Sequence, residues 1–310
     1  MGGNRHPKNQ SRAYMYAVLA VVFWSTAASA FKLTLAHTAP LQILFVATLT
    51  SCVALAGVLA IQGRFRLLKQ TSGRELLYSA AMGLLNPFMY YLVLFEAYSL
   101  LPAQVAQPLN FTWPLMLVIL SVPLLRQPIS PWSIGTMLIS FAGVYLISSQ
   151  GRPFDMRFAD PLGVSLALGS SVIWALFWIY NVRDGRNEVV KLFLSFSFAL
   201  LFASVAMVMT SGFGALNFYG SAGGVYIGLF EMGFTFVFWL KAMQYAESTD
   251  RISNMIYITP FLALVLIGIV LGEQIHLTTV GGLVLIVAGI VLQKFITPAG
   301  AGAGIEADGR

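Results

Sequence analysis

Ten apolar runs, each about twenty residues long, constrain what this chain can fold into. Hydrophobic residues make up 58% of the sequence and charged residues only 10%. In hydrocarbon every backbone N–H and C=O must be bonded within its own segment, so runs of this length form helices. The sequence therefore predicts an all-α integral membrane protein with ten transmembrane helices, at residues 13–35, 39–62, 74–98, 102–124, 130–149, 160–182, 189–212, 221–246, 251–272 and 276–296.

The second half of the chain repeats the first. At a shift of 146 residues, Pro114 aligns with Pro260 and Gly143 with Gly289. Because each half holds five spans, an odd number, the second half starts on the opposite face of the membrane, which predicts two inverted five-helix repeats. The predicted divisions are a cytoplasmic tail (1–12), a first repeat (13–149), a periplasmic linker (150–159), a second repeat (160–296) and a cytoplasmic tail (297–310).

The basic residues fall mainly on one side of this topology. That side holds the N-terminal tail, Arg64, Arg66, Lys69, Arg74, Arg126, Arg183, Arg186, Lys191, Arg251, Lys294 and Arg310. The other side holds Arg152 and Arg157. Since cytoplasmic loops carry an excess of Lys and Arg, both termini are predicted to be cytoplasmic.

Inverted repeats are typical of secondary transporters, because two similar halves can rock about a central site and expose it to either face in turn. The chain resembles the EamA-type ten-helix transporters of the drug/metabolite transporter superfamily over residues 13–296. The residues that carry the resemblance are Pro260, Leu271-Gly272-Glu273 and the Gly281 to Gly289 spacing, with a weaker first copy around Pro114, Gly135 and Gly143. The first copy departs from the pattern by having Gln127 where the second has Glu273.

Two short strings resemble the bacterial aromatic amino acid exporters within that superfamily. They are Phe23-Trp24-Ser25-Thr26 in the first span and Leu109-Asn110-Phe111-Thr112-Trp113-Pro114 in the fourth. The resemblance implies export of aromatic amino acids across a bacterial inner membrane. Alternatives are the same fold moving drug-like cations, nucleotide sugars or other metabolites, and a membrane enzyme or receptor. Lys32 and Lys241 lie near span ends, which disfavours phosphate-bearing substrates.

Three tryptophans lie near the midpoints of their spans, namely Trp24, Trp113 and Trp174. Membrane tryptophans ordinarily occupy the interfacial belts, as we expect for Trp132 and Trp178. Deep tryptophans are therefore candidates for a cavity wall that suits a flat or amphiphilic solute. The alternative is that they pack between helices with a bonded indole N–H.

Polar residues follow helical spacing on two spans. Gln107, Asn110 and Trp113 share a face of the fourth span, and Asn254 and Tyr257 share a face of the ninth. Both faces are predicted to line the cavity.

Three prolines, Pro87, Pro114 and Pro260, are predicted to kink their helices and to act as hinges. A proline removes one N–H donor and leaves a carbonyl one turn earlier unpaired. In a cavity that carbonyl can accept a substrate ammonium; the alternative is a simple kink capped by a neighbouring helix.

Glu231 is the one acidic residue predicted near mid-membrane, where an ionisable group is a functional candidate by default. It is expected either to receive a substrate ammonium or to carry the proton of a coupled cycle, with Asn86 as its functional partner in the other half. The alternative is a neutral carboxyl bonded between helices. The predicted substrate-binding set is Trp24, Ser25, Asn86, Gln107, Asn110, Trp113, Trp174, Glu231, Asn254 and Tyr257.

The repeat also predicts how the helices pack against one another. The first, third, fourth, sixth, eighth and ninth spans are predicted to surround the cavity, with the fifth and tenth at the periphery. Gly135, Gly143, Gly281 and Gly289 are expected to allow close approach of those two helices.

The sequence has no metal-ligand spacing, nucleophile elbow, phosphate loop or paired catalytic carboxylates. Its single cysteine, Cys52, has no disulfide partner. We therefore predict no catalytic residues, no metal, no cofactor and no nucleic-acid partner. The predicted partners are a small-molecule substrate, the lipid bilayer and, as one option for coupling, protons.

Overall fold

The computed structural model describes residues 8–125, 131–152, 159–210, 217–247 and 249–296, and within those ranges it holds helices and no strand. The ten spans are α1 (Gln10–Leu35), α2 (Pro40–Ile61), α3 (Gly73–Leu100), α4 (Ala103–Leu124), α5 (Pro131–Ser148), α6 (Pro161–Val182), α7 (Glu188–Thr210), α8 (Phe218–Tyr245), α9 (Ile252–Leu271) and α10 (Leu277–Ile296). A short surface helix, Phe65–Lys69, joins α2 to α3. The prediction of ten helices is confirmed.

Some predicted features lie outside the described residues. These are most of the N-terminal tail (1–7), the turn at 126–130 with Gln127, the centre of the linker (153–158) with Arg157, and the C-terminal tail (297–310).

Eight of the ten helices have both the length and the hydropathy to cross a membrane. The other two, α5 and α10, contain 18 and 20 residues. A transmembrane helix needs roughly 17–25 residues, so these two also reach across a bilayer.

Several spans begin at a side-chain cap. Asn9 accepts a hydrogen bond from the amide of Arg12 (3.0 Å), Asp160 from Gly163 (2.8 Å) and Asn217 from Gly220 (2.7 Å). A capping side chain satisfies one of the backbone donors that the first helical turn leaves unpaired. These caps set where α1, α6 and α8 start.

The helices pack in pairs that follow the repeat. Contacts join α1 to α8 and α3 to α6, and these two pairs are equivalent when the halves are exchanged. Two further pairs, α2 with α7 and α5 with α10, each join one helix to its own counterpart. This is the arrangement expected of two pseudo-symmetric five-helix repeats.

Helix α3 has a kink at Leu84–Met89, where Asn86 leaves the helical conformation, and α8 has a π-helical turn at Gly228–Gly233. The kink and the turn occupy equivalent positions in the repeats. A π-helical turn interrupts the regular hydrogen-bond ladder, and such turns occur often at functional sites. In α8 the freed carbonyl of Gly228 accepts a hydrogen bond from Ser51 of α2 (2.8 Å).

The close approach of α5 and α10 depends on only some of the predicted glycines. A Cβ at Gly143 would overlap the backbone of Gly282, and one at Gly289 would overlap Ser140. Gly135 and Gly281, by contrast, face open space. The prediction for those two was wrong, because Gly282, one residue after Gly281, lies on the contact face.

Candidate functional site: an aromatic cavity between the two halves

A cavity of about 400 Å³ lies at the centre of the bundle. Its wall is formed by α1, α3, α4, α6, α8 and α9, the six spans that the sequence assigns to it. Small-molecule pockets commonly measure about 300–1,000 Å³, so this volume suits a small metabolite.

The two ends of the cavity differ. At one end Phe31 and Tyr98, each 2% exposed, meet edge to face with ring centroids 5.3 Å apart and close the wall. At the other end the wall reaches Val182, which is 38% exposed. Val182 ends α6 at the same end of the bundle where α1 begins. The cavity therefore opens toward the end that holds the start of α1.

Most of the predicted site residues meet at this cavity. The wall includes Trp24, Gln107, Asn110, Trp113, Pro114, Trp174, Glu231 and Tyr257. Ser25, Asn86 and Asn254 are not part of it.

Each of the three exceptions has a physical reason. Ser25 is fully buried and donates to the carbonyls of Val21 (2.6 Å) and Thr259 (3.2 Å), so it joins α1 to α9. Asn86 is fully buried at the kink of α3 and does not reach the cavity wall. Asn254 lies on the exposed side of α9, and Ser253 faces the cavity in its place.

The helix is interrupted near each of the three prolines. The residue before Pro87, Asn86, has extended backbone angles (φ −147°, ψ 123°), as expected because a proline disfavours helical angles in its predecessor. In α4 a turn at 111–112 separates Ala103–Asn110 from the helix that contains Pro114. In α9 a 3₁₀ turn precedes the segment in which Pro260 occupies the first turn. The kinks are observed; hinge motion at them stays a prediction.

Ten of the 23 residues that line the cavity are aromatic, and aromatic contacts connect the two repeats. Phe236 of α8 lies 6.0 Å from Trp24 of α1 and 5.8 Å from Trp174 of α6, measured between ring centroids. Trp24 and Trp174 are repeat equivalents, so one ring bridges corresponding positions of the two halves. Trp174 also contacts Tyr90 at 4.6 Å.

Glu231 contributes a carboxylate to this apolar wall. It lies in the π-helical turn of α8, and its Oε1 accepts a hydrogen bond from Tyr91 of α3 (3.2 Å). Its other oxygen, Oε2, is buried without a hydrogen-bond partner among the described residues. The residue of α3 that bonds Glu231 is thus Tyr91, whereas Asn86, its predicted functional partner, does not line the cavity.

Three more wall residues have a buried polar atom that forms no hydrogen bond within the described ranges. These atoms are Oε1 of Gln107, Nε1 of Trp178 and Oγ1 of Thr259. Leaving a buried polar group unpaired costs about 1–3 kcal/mol, so a polar solute that satisfied these atoms would be stabilised. The prediction that Trp178 lies in an interfacial belt was wrong, since it faces the cavity; Trp132 is 77% exposed, as expected.

A network of hydrogen bonds fixes Asn110. Its amide nitrogen donates to Ser170 of α6 (2.9 Å), and its oxygen accepts from Tyr90 of α3 (3.3 Å). Nearby, the hydroxyls of Thr112 and Ser171 lie 3.1 Å apart. Asn110 is therefore a positioned part of the wall, held by two neighbouring helices.

Sequence reasoning missed several aromatic wall residues, including Tyr90, Tyr98 and Trp239. Tyr90, Leu94 and Tyr98 recur at four-residue spacing on α3, a helical face that the sequence displays. No comparable pattern marks Trp239, which faces the cavity because of how α8 packs on α1.

The turn between α6 and α7 lies beside the open end. Arg186 binds Asp184 through both carboxylate oxygens and donates to the carbonyl of Glu75 (3.2 Å), which links this turn to the start of α3. Burial alone would raise the pKa of Asp184, but the hydrogen bonds from Arg186 outweigh it and hold the pKa below its usual value. Within the described ranges no cluster of three or more His, Cys, Asp or Glu side chains is placed to hold a metal ion.

Comparison with known proteins decides the family. The profile of the EamA-like transporter family matches this chain twice, over residues 11–149 and 161–293. The chain belongs to the EamA-like transporter family. It is thus a multi-pass membrane transporter, whose partners include a small-molecule substrate and the lipid bilayer.

Relatives of similar length support this assignment. An uncharacterized transporter of Clostridium kluyveri is 24% identical over 291 residues, covering 91% of this chain and 92% of that protein. An uncharacterized transporter of Archaeoglobus fulgidus is 26% identical over 289 residues, covering 91% and 98%. A crystal structure shares the fold with a TM-score of 0.65 at 19% identity, covering 93% of this chain and 98% of that one.

Proposed function

We propose that this EamA-family transporter exports small amphiphilic metabolites, with aromatic amino acids as the leading class, by alternating access to the central cavity. The observation that carries the proposal is the composition of the wall. Aromatic rings from both halves surround one carboxylate, Glu231, whose Oε2 has no partner among the described residues. This combination suits a flat ring attached to an ammonium group.

The wall offers complementary groups for each part of such a solute. Glu231 would accept the ammonium, and a ring would lie among Trp24, Trp113 and Trp174. The solute carboxylate would receive a hydrogen bond from the indole N–H of Trp178, and the unpartnered Oε1 of Gln107 would accept one from the solute ammonium.

The open end of the cavity fits the loading state of an exporter. The positive-inside rule places the end with the start of α1, and hence the open end of the cavity, at the cytoplasmic side of a bacterial-type inner membrane, with both termini cytoplasmic. A cavity open to the cytoplasm is the state that loads a substrate for export. Rocking of one repeat against the other would then close this end and open the end at Phe31 and Tyr98.

Small organic cations are the second candidate, and a specific observation favours them. Among the described wall residues Glu231 is a carboxylate, whereas none is Lys, Arg or His. A monocation would neutralise that charge, whereas an amino acid would also bring a carboxylate. The same observation disfavours nucleotide sugars, whose phosphates call for cationic side chains.

Counterflow in proteoliposomes tests both candidates. Vesicles are loaded with one solute, and uptake of radiolabelled tryptophan or tryptamine, its analogue without the carboxylate, is measured with and without a pH gradient. Saturable tryptophan exchange that leucine competes weakly would support the first candidate. Exchange of tryptamine alone would transfer the assignment to organic cations, and exchange of neither would overturn the proposal.

A further inference from the structure

A stripe of five aromatic residues and one lysine runs along a face of α8, and none of its members lines the cavity. Its members are Tyr226, Phe230, Phe234, Phe238, Lys241 and Tyr245, spaced three or four residues apart. All are partly exposed. At 1.5 Å per residue the stripe extends about 28 Å, nearly the roughly 30 Å thickness of a bilayer core.

Rings of α1 complete this surface. Phe23 stacks on Phe230 at 4.8 Å and lies 6.2 Å from Phe238, measured between centroids. Tyr16 in turn stacks on Phe238 at 6.1 Å and on Tyr245 at 5.9 Å. Together these rings form a continuous aromatic surface along the outer α1–α8 junction.

Two cations lie at one end of this aromatic surface. The ammonium of Lys241 lies 5.3 Å from the centre of the Tyr16 ring, and the guanidinium of Arg12 lies 5.9 Å from that of Tyr245. Neither forms an ion pair with a carboxylate in the part of the chain that the structure describes. Both cations lie over rings, and among the described residues neither has a carboxylate as an ion-pair partner.

The backbone holds this cluster in place. The amide of Asn9 donates to the carbonyl of Tyr245 (2.9 Å), and the amide of Glu247 donates to the side-chain oxygen of Gln10 (2.9 Å). These bonds join the start of α1 to the end of α8, the two helices that carry Arg12 and Lys241.

We propose that this surface binds one anionic phospholipid, with its phosphate between Arg12 and Lys241 and an acyl chain along the rings. Charge complementarity argues for this ligand. Two cations without an ion-pair partner among the described residues match an anionic lipid of the same leaflet. The rings provide a flat apolar face for the chain. None of the residues of this surface lines the transport cavity, so the two sites are separate.

Native mass spectrometry of the full-length protein in detergent tests the proposal, with phosphatidylglycerol and phosphatidylcholine of identical acyl chains as probes. The variant R12Q/K241Q is expected to bind phosphatidylglycerol about 30-fold more weakly, since each near-surface cation contributes roughly fivefold. The matched control R66Q/K69Q removes two exposed cations of the short surface helix Phe65–Lys69, at the same end of the bundle. It is expected to change binding less than twofold.

A charge-preserving variant, R12K/K241R, separates loss of charge from loss of fold and should bind phosphatidylglycerol as the parent does. Three results would overturn the proposal: equal weakening in R66Q/K69Q, unchanged binding by a folded R12Q/K241Q, or equal affinity of the parent protein for the two lipids.

Discussion

Glu273 supports a testable prediction about the closed end of the bundle. Its two carboxylate oxygens accept hydrogen bonds from the backbone amides of Ala103 (2.7 Å) and Gln104 (3.0 Å), the first residues of α4. Glu273 follows α9, so a carboxylate from the second repeat caps a helix of the first. Gln104 adds bonds to the carbonyl of Gln274 (2.9 Å) and from the amide of His276 (3.0 Å).

Those two hydrogen bonds set the loss in free energy of unfolding that we expect when the carboxylate is removed. A hydrogen bond to a charged group contributes about 1.5–3 kcal/mol, so two would give about 3–6 kcal/mol. Glu273 is partly exposed, so water can hydrogen-bond to the two freed backbone amides and offset part of this loss. We therefore expect Glu273→Ala to lower the free energy of unfolding by about 2–4 kcal/mol, and Glu273→Gln, which keeps one acceptor, by about half of that.

Equilibrium unfolding of the purified protein in mixed micelles, followed by tryptophan fluorescence, measures this loss. The matched control is Glu96→Ala, because Glu96 lies near the same end and is exposed. If Glu273→Ala and Glu96→Ala unfold at the same detergent composition, the capping argument is refuted. A loss as large in Glu273→Gln as in Glu273→Ala would show that charge, rather than the number of acceptors, matters.

Three further predictions concern the cavity and the packing of the bundle. Trp113→Ala should lower transport about tenfold with folded protein retained, because the cavity wall loses this ring. The control, Trp132→Ala, changes an exposed tryptophan and should leave transport unchanged. Equal effects of the two substitutions would show that Trp113 is not part of the site. If Glu231 carries a proton, Glu231→Gln should abolish the dependence on a pH gradient and leave exchange intact, and if it binds the ammonium, affinity should fall roughly tenfold or more in both modes. Wild-type behaviour in both assays would contradict both roles. Gly143→Val should destabilise the protein by about 1–3 kcal/mol by forcing α5 from α10, and Gly281→Val, in open space, serves as its control in the same unfolding assay.

The candidate site shows which structural features could be predicted from the sequence. Depth in a span follows from counting residues, so the inward position of Trp24, Trp174 and Glu231 could be predicted. Rotation about the helix axis could not, because α8 carries aromatic residues on both its cavity face and its outer face. This is why Trp239 was missed and Asn254 was assigned to the wrong side.

The sequence by itself determined the ten helices and their division into two inverted halves, since chain length in hydrocarbon and backbone hydrogen bonding leave few alternatives. Only the tertiary structure decided which side chains meet. The kink of α3 and the π-helical turn of α8 alter the phase of each helix, which buries Asn86 and brings Tyr91 to Glu231. Local sequence does not encode that phase, because it depends on packing against α2 and α7, helices distant in the chain.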